Sequence, residues 1–111
     1  MKDERIYLRH IVEAIEDIES YTKPGYKAFT LERIRQDAVI RKLEVIGEAV
    51  KQLSAATKAA RAEIQWREIA AMRDKMIHEY FGVNLNIVWE AVENNLPELK
   101  RIVEEILGSM Q

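Results

Sequence analysis

Apolar residues recur at helical spacing along nearly the whole chain, and no stretch alternates convincingly like a strand. Leu8, Ile11, Val12, Ile15 and Ile18 predict an amphipathic helix from about Asp3 to Tyr21, with Asp3 as N-cap. Lys23-Pro24-Gly25 ends it, because proline and glycine together break a helix and favour a turn. A second helix is expected from Thr30 to about Leu53. Val39, Leu43, Ile46, Val50 and Leu53 form its main stripe, which Ile34, Ala38, Val45 and Ala49 widen. Its polar side, Asp37, Arg41, Glu44 and Glu48, reads as a solvated ion-pair ladder or a surface for pairing with another subunit.

The alanine-rich run from Ser54 to Glu63 predicts a short helix or an irregular link. Trp66 opens a third long helix that should finish at Gly82. Asn84 can cap the next, whose inward face is Leu85, Val88, Trp89 and Val92. Asn94-Asn95-Leu96-Pro97 predicts a break or kink, since proline is tolerated in a first turn but not inside a helix. The last segment packs through Leu99, Ile102, Val103 and Ile106. The expected fold is an all-α bundle of four to five helices in one domain over 1–111.

Composition narrows the function. With 111 residues, 48% hydrophobic and 32% charged, the chain fits one globular domain, and dimerisation would cover further apolar area. The absence of cysteine removes disulfide scaffolds, thiol catalysis and cysteine-based zinc sites, and agrees with a reducing cytoplasm. No signal peptide or membrane span is visible. A formal charge of −2 lacks the basic excess of a protein that grips duplex nucleic acid broadly, so DNA binding is not expected and any nucleic-acid contact should be local.

The chemistry concentrates in Arg73-Asp74-Lys75-Met76-Ile77-His78-Glu79-Tyr80. Trp66, Ile69, Ala70, Met76, Ile77 and Tyr80 all fall within about 60° of Arg73 around a helix that turns about 100° per residue. Burying an unpartnered guanidinium costs several kcal/mol, so Arg73 must meet a carboxylate, a subunit interface or an anionic ligand. Asp37, Glu44 and Glu48 are the candidate carboxylates. His78 titrates nearest neutral pH.

Metal sites fit poorly: His78-Glu79 lacks a second histidine four residues away, and His10 lies on another helix. Glycine-rich phosphate loops and serine nucleophile turns are absent. Cleavage of a phosphodiester without metal needs proton transfer to and from oxygen and fixed positive charge at the phosphoryl group. Histidine and arginine supply these, and an RNA 2′-OH supplies the nucleophile. The structural alternatives are a hydrogen-bonded packing role for His78, a core position for Tyr80, and solvated ion pairs for Asp74 and Glu79.

One geometric point resists the catalytic reading. His78 lies about 140° around a regular helix from Arg73, so the two do not aim at one phosphate. Either the helix loosens before Gly82, or two copies of the chain share the site across a two-fold axis. The second arrangement is favoured, because it also accounts for an arginine within an apolar stripe.

Arg73-x4-His78-x-Tyr80, set in the run from Trp66 to Val83, resembles the signature of HepT-like toxins of the HEPN superfamily. The likeness covers nearly the whole chain, including the first helix, Gln36 to Arg41, Leu43 to Ala49, Val88-Trp89 and Leu96-Pro97. It implies a HEPN-like helical homodimer and a metal-independent endoribonuclease, needing no cofactor, with its site at the dimer cleft. It implies that Arg73 stabilises the phosphoryl transition state and that His78 is general acid/base. Tyr80 would accept AMP from a minimal nucleotidyltransferase antitoxin, with which the dimer can form a larger complex. Superfamily members can be inactive as nucleases, so the competing expectations are a non-catalytic dimer that docks the transferase and a purely structural bundle.

Overall fold

The computed structural model describes residues 3–78 and 85–110, and of residues 73–78 the backbone alone. In chain order the helices are α1 (Glu4–Thr22), α2 (Tyr26–Leu31), α3 (Arg33–Lys51), α4 (Ala55–Ala60), α5 (Trp66–His78), α6 (Leu85–Glu90) and α7 (Leu96–Ser109). A π-helical turn, Ala91–Asn95, joins the last two. Among the described residues there is no strand, so the fold is all-α. No described helix is long and apolar enough to cross a membrane.

The four long helices α1, α3, α5 and α7 form the bundle, and ion pairs and caps reveal their directions. Glu4, at the start of α1, accepts from the Ser54 N–H at 2.6 Å, just beyond the end of α3. Asp17 of α1 meets Lys42 of α3 at 2.9 Å. These two helices therefore run antiparallel. Lys100, early in α7, reaches Glu19 near the end of α1 at 3.1 Å, so α7 is antiparallel to α1 as well. The chain enters α5 from the end where α3 finishes. It leaves toward Asn86 of α6, whose side-chain oxygen accepts from the Tyr26 hydroxyl at the end where α3 begins. Helix α5 packs along α3 in the opposite sense, and its C-terminal turn lies at the Tyr26 end of the bundle.

The expected stripes become the interior. Leu8, Ile11, Ile15 and Ile18 from α1, Val39, Leu43, Ile46 and Val50 from α3, and Leu99, Ile102 and Val103 from α7 are buried together. Val12 is only half-buried. Trp89 packs on Phe29 and Tyr26, with both ring centroids 5.3 Å away.

The local signals act through identifiable hydrogen bonds. Asp3 caps α1 by accepting from the Arg5 N–H at 3.0 Å. The Arg5 guanidinium beside it holds the Asp3 carboxyl down at about 2. Gly25 starts α2 at φ +103°, a conformation that favours glycine. Ser54 caps α4, its hydroxyl accepting from the Thr57 N–H at 3.1 Å. Residues 82 and 84, expected to end and restart helices, lie outside the described residues.

The expected helix from Thr30 to Leu53 is divided in two. Thr30 belongs to α2, and Glu32, extended at φ −112° and ψ 101°, separates α2 from α3. The Gln36 side-chain amide closes the joint, donating to the Phe29 and Thr30 carbonyls at 2.9 and 3.1 Å. Arg35 adds a bond to the Tyr21 carbonyl at 2.5 Å. Ile34, expected to widen the apolar stripe, is 87% exposed. The break expected around Asn94 to Pro97 is instead a change of helical register. Pro97 has no N–H to return to the Glu93 carbonyl, and the ladder shifts to the wider π spacing.

Leu99 is fully buried among α1 and α7 side chains. Leu99→Ala should lower unfolding free energy by about 2–5 kcal/mol in urea denaturation without loss of helix in the folded state. A loss under about 1 kcal/mol would contradict its place in the interior.

Candidate active site

Among the described residues no polar or charged side chain is buried, so the interior offers no catalytic group and chemistry must sit on the surface. Nor do three or more histidine, cysteine, aspartate or glutamate side chains gather there as a metal cage would require.

Helix α5 carries two of the three residues singled out from the sequence. Arg73 stands in its middle and His78 is its last residue. The backbone remains α-helical through both, so the helix does not loosen between them. On such a helix they are separated by about 7.5 Å along the axis and about 140° around it. Tyr80 lies outside the described residues, as do the side-chain positions of Arg73 and His78. Of the carboxylates that could meet Arg73 across the α3 and α5 contact, Glu44 lies 3.4 Å from Arg41 and Glu48 lies 3.9 Å from Lys51.

The start of α5 is held firmly. The Arg61 carbonyl accepts from the Trp66 indole N–H at 3.0 Å and from the Ile64 N–H at 3.2 Å. Ile64 and Trp66 are buried. The Gln65 carbonyl then accepts from Glu68 and Ile69, closing the first turn. The Arg61 guanidinium lies between Glu63 at 3.0 Å and Glu105 of α7 at 2.9 Å. Its hydrogen bonds hold both carboxyls below their ordinary range, with Arg101 adding to the effect at Glu105. The clamp is therefore intact at neutral pH and weakens on acidification, once the carboxylates take up protons. A helix anchored at this end carries the position of Arg73 and His78 rigidly from it.

The second histidine belongs to a different surface. His10 is exposed on α1, 6.4 Å from the Tyr7 ring, beside a groove of about 370 Å³ between α1 and α3 that Arg41, Val45 and Glu48 also line. Sequence reasoning assigned this groove no role. Its signal, Tyr7 and His10 one helical turn apart opposite Arg41, becomes visible only when α1 and α3 are laid antiparallel.

A helical bundle with an arginine and a histidine five residues apart on one surface helix defines a narrow class. Residues 11–106 match the model of the family described as Ribonuclease HepT-like, and the chain belongs to that family. A protein of Methanocaldococcus jannaschii, named as a gamma-glutamylcyclotransferase and candidate RNase, is 48% identical over 99% of the chain. The chain spans only 49% of that protein's length. A candidate RNase of Caldanaerobacter subterraneus subsp. tengcongensis is 44% identical, with 96% of each chain covered. A candidate ribonuclease HepT of Thermococcus cleftensis is 46% identical over 90% of this chain and 92% of its own. No solved structure matches the chain.

Trp66→Phe keeps the ring in the interior and removes only the bond to the Arg61 carbonyl. The expected loss is about 0.5–1.5 kcal/mol of stability in denaturant titration. Faster amide exchange should be confined to the first turns of α5. Unchanged exchange in that segment would show that the indole bond does not anchor the helix.

Proposed function

We propose that the chain is a metal-independent endoribonuclease, a single domain over 1–111 that acts as a cytoplasmic homodimer and as the toxin of a toxin–antitoxin pair. The observation that carries the shared site is the unbroken α5. On a helix that stays regular through His78, Arg73 and His78 of one copy diverge, and two copies facing each other bring one of each together. Family membership and relatives named as candidate RNases support RNA as the substrate class.

In this reading the Arg73 guanidinium binds the scissile phosphate and stabilises charge as it grows on the phosphoryl oxygens. One His78 imidazole takes the proton of the attacking 2′-OH. The bond from phosphorus to the 2′-oxygen forms as that to the 5′-oxygen breaks, and the imidazolium of the second copy protonates the departing 5′-oxygen. The product is a 2′,3′-cyclic phosphate, which water opens to a 3′-phosphate. No protein nucleophile and no cofactor enters the scheme.

Tyr80 is proposed as the residue that a cognate minimal nucleotidyltransferase antitoxin modifies with AMP. It follows Glu79 directly beyond the end of α5, two residues from His78. A bulky anionic nucleotide there would obstruct RNA and repel its phosphates, neutralising the toxin.

Purified protein should cut RNA in EDTA and leave cyclic or 3′-phosphate ends, and His78→Ala or Arg73→Ala should each reduce the rate by about 10²-fold or more. Full activity in folded His78→Ala dimer contradicts the assignment. Clean wild type that binds a nucleotidyltransferase tightly yet never cuts RNA would favour a non-catalytic partner module. Mass spectrometry after coexpression with an active transferase should find AMP adducts on Tyr80, and an unmodified Tyr80 removes that step.

A further inference from the structure

The core-facing stripe of α3 leaves its opposite side unpartnered, and that side is not polar. Ile34 is 87% exposed, and Leu31 three residues earlier is 73% exposed. Ile34, Arg41 and Val45 all fall within about 60° of Ala38 around the helix, whereas Val39, Leu43, Ile46 and Val50 point the other way. Beside Ile34 and Ala38 lies a groove of about 640 Å³ that Tyr21 and Arg35 also line. Exposed aliphatic side chains gathered beside a groove mark an association surface.

We propose that this face of α3, centred on Ile34 and Ala38, is the surface through which two copies of the chain meet. The inference rests on the shared-site reading above and names the contact that reading leaves open. Two observations favour a second copy over another partner. The first is placement. Leu31 and Ile34 lie at the end of the bundle where α3 begins, and α5 finishes at that same end, so a two-fold contact there brings the two α5 C-terminal turns into one neighbourhood.

The second observation is charge. A two-fold interface presents the same patch twice and must be complementary to itself. Beside the apolar stripe, Asp37 stands one turn before Arg41, and Asp37 has no ion pair among the described residues. With the axis passing close to Ala38 and the two α3 helices antiparallel, Asp37 of each copy comes opposite Arg41 of the other. Ala38 is small enough to let the two backbones approach closely, and the Ile34 side chains enter the flanking grooves.

Analytical ultracentrifugation of the full chain tests this. Wild type should sediment as a dimer, and Ile34→Asp and Leu31→Asp should shift it to monomer with unchanged circular dichroism, since both side chains already face water. Ile34→Leu should restore the dimer, and Ile6→Asp, at an exposed apolar position on α1, should leave it intact. Ile34→Asp and Leu31→Asp proteins that both remain dimeric overturn the proposal while leaving a shared site possible through another face. A wild type that is monomeric overturns it too and frees the face for a different occupant. Monomeric variants that cut RNA at the wild-type rate would uphold the contact yet refute the shared site, so the two failures are distinguishable.

Discussion

Helix α5 can bend neither toward solvent nor into itself, and that rigidity constrains the chemistry proposed for the chain. Its first turn is fixed by the Trp66 bond to the Arg61 carbonyl and by the burial of Ile64 and Trp66, and its length lies against α3. A helix held in this way presents Arg73 and His78 to different directions. Within one copy the pair cannot clamp one phosphate unless a long side chain wraps around the helix. The economical resolution is two helices, each supplying what the other lacks.

The rest of the bundle serves to hold that helix. Helices α1, α3 and α7 bury an uninterrupted aliphatic interior, and no described polar side chain intrudes on it. The outer ties, Glu4 to Ser54, Asp17 to Lys42 and Glu19 to Lys100, are exposed or half-exposed ion pairs and caps. Each contributes little alone. Their consistent effect is to fix register between antiparallel neighbours whose apolar stripes would also tolerate a shift of one turn.

Much of this was legible in the sequence, because the interior obeys helical periodicity and the caps use ordinary residues. Asp3 and the stripe from Val39 to Leu53 appear where the pattern places them. The division at Glu32 was not legible. Thr30 to Arg33 contains neither proline nor glycine, and the joint is closed by Gln36 and Arg35 bonding back to carbonyls of earlier segments. Those are tertiary contacts that a local pattern does not encode. Ile34 was misplaced for a related reason: once the helix restarts at Arg33, its first apolar residue turns away from the interior. Of the candidate site, the sequence supplied Arg73, His78 and Tyr80 through their spacing and family likeness. The structure adds the unbroken helix beneath the first two.

The central claim is that catalysis belongs to the pair of chains and not to either one. Diluting the active protein through its dissociation range, with mass and specific RNase activity followed on the same samples, tests that claim most directly. Activity per chain should fall in step with the dimer fraction and return on reconcentration. Activity per chain that stays constant while the protein separates into monomers would contradict it.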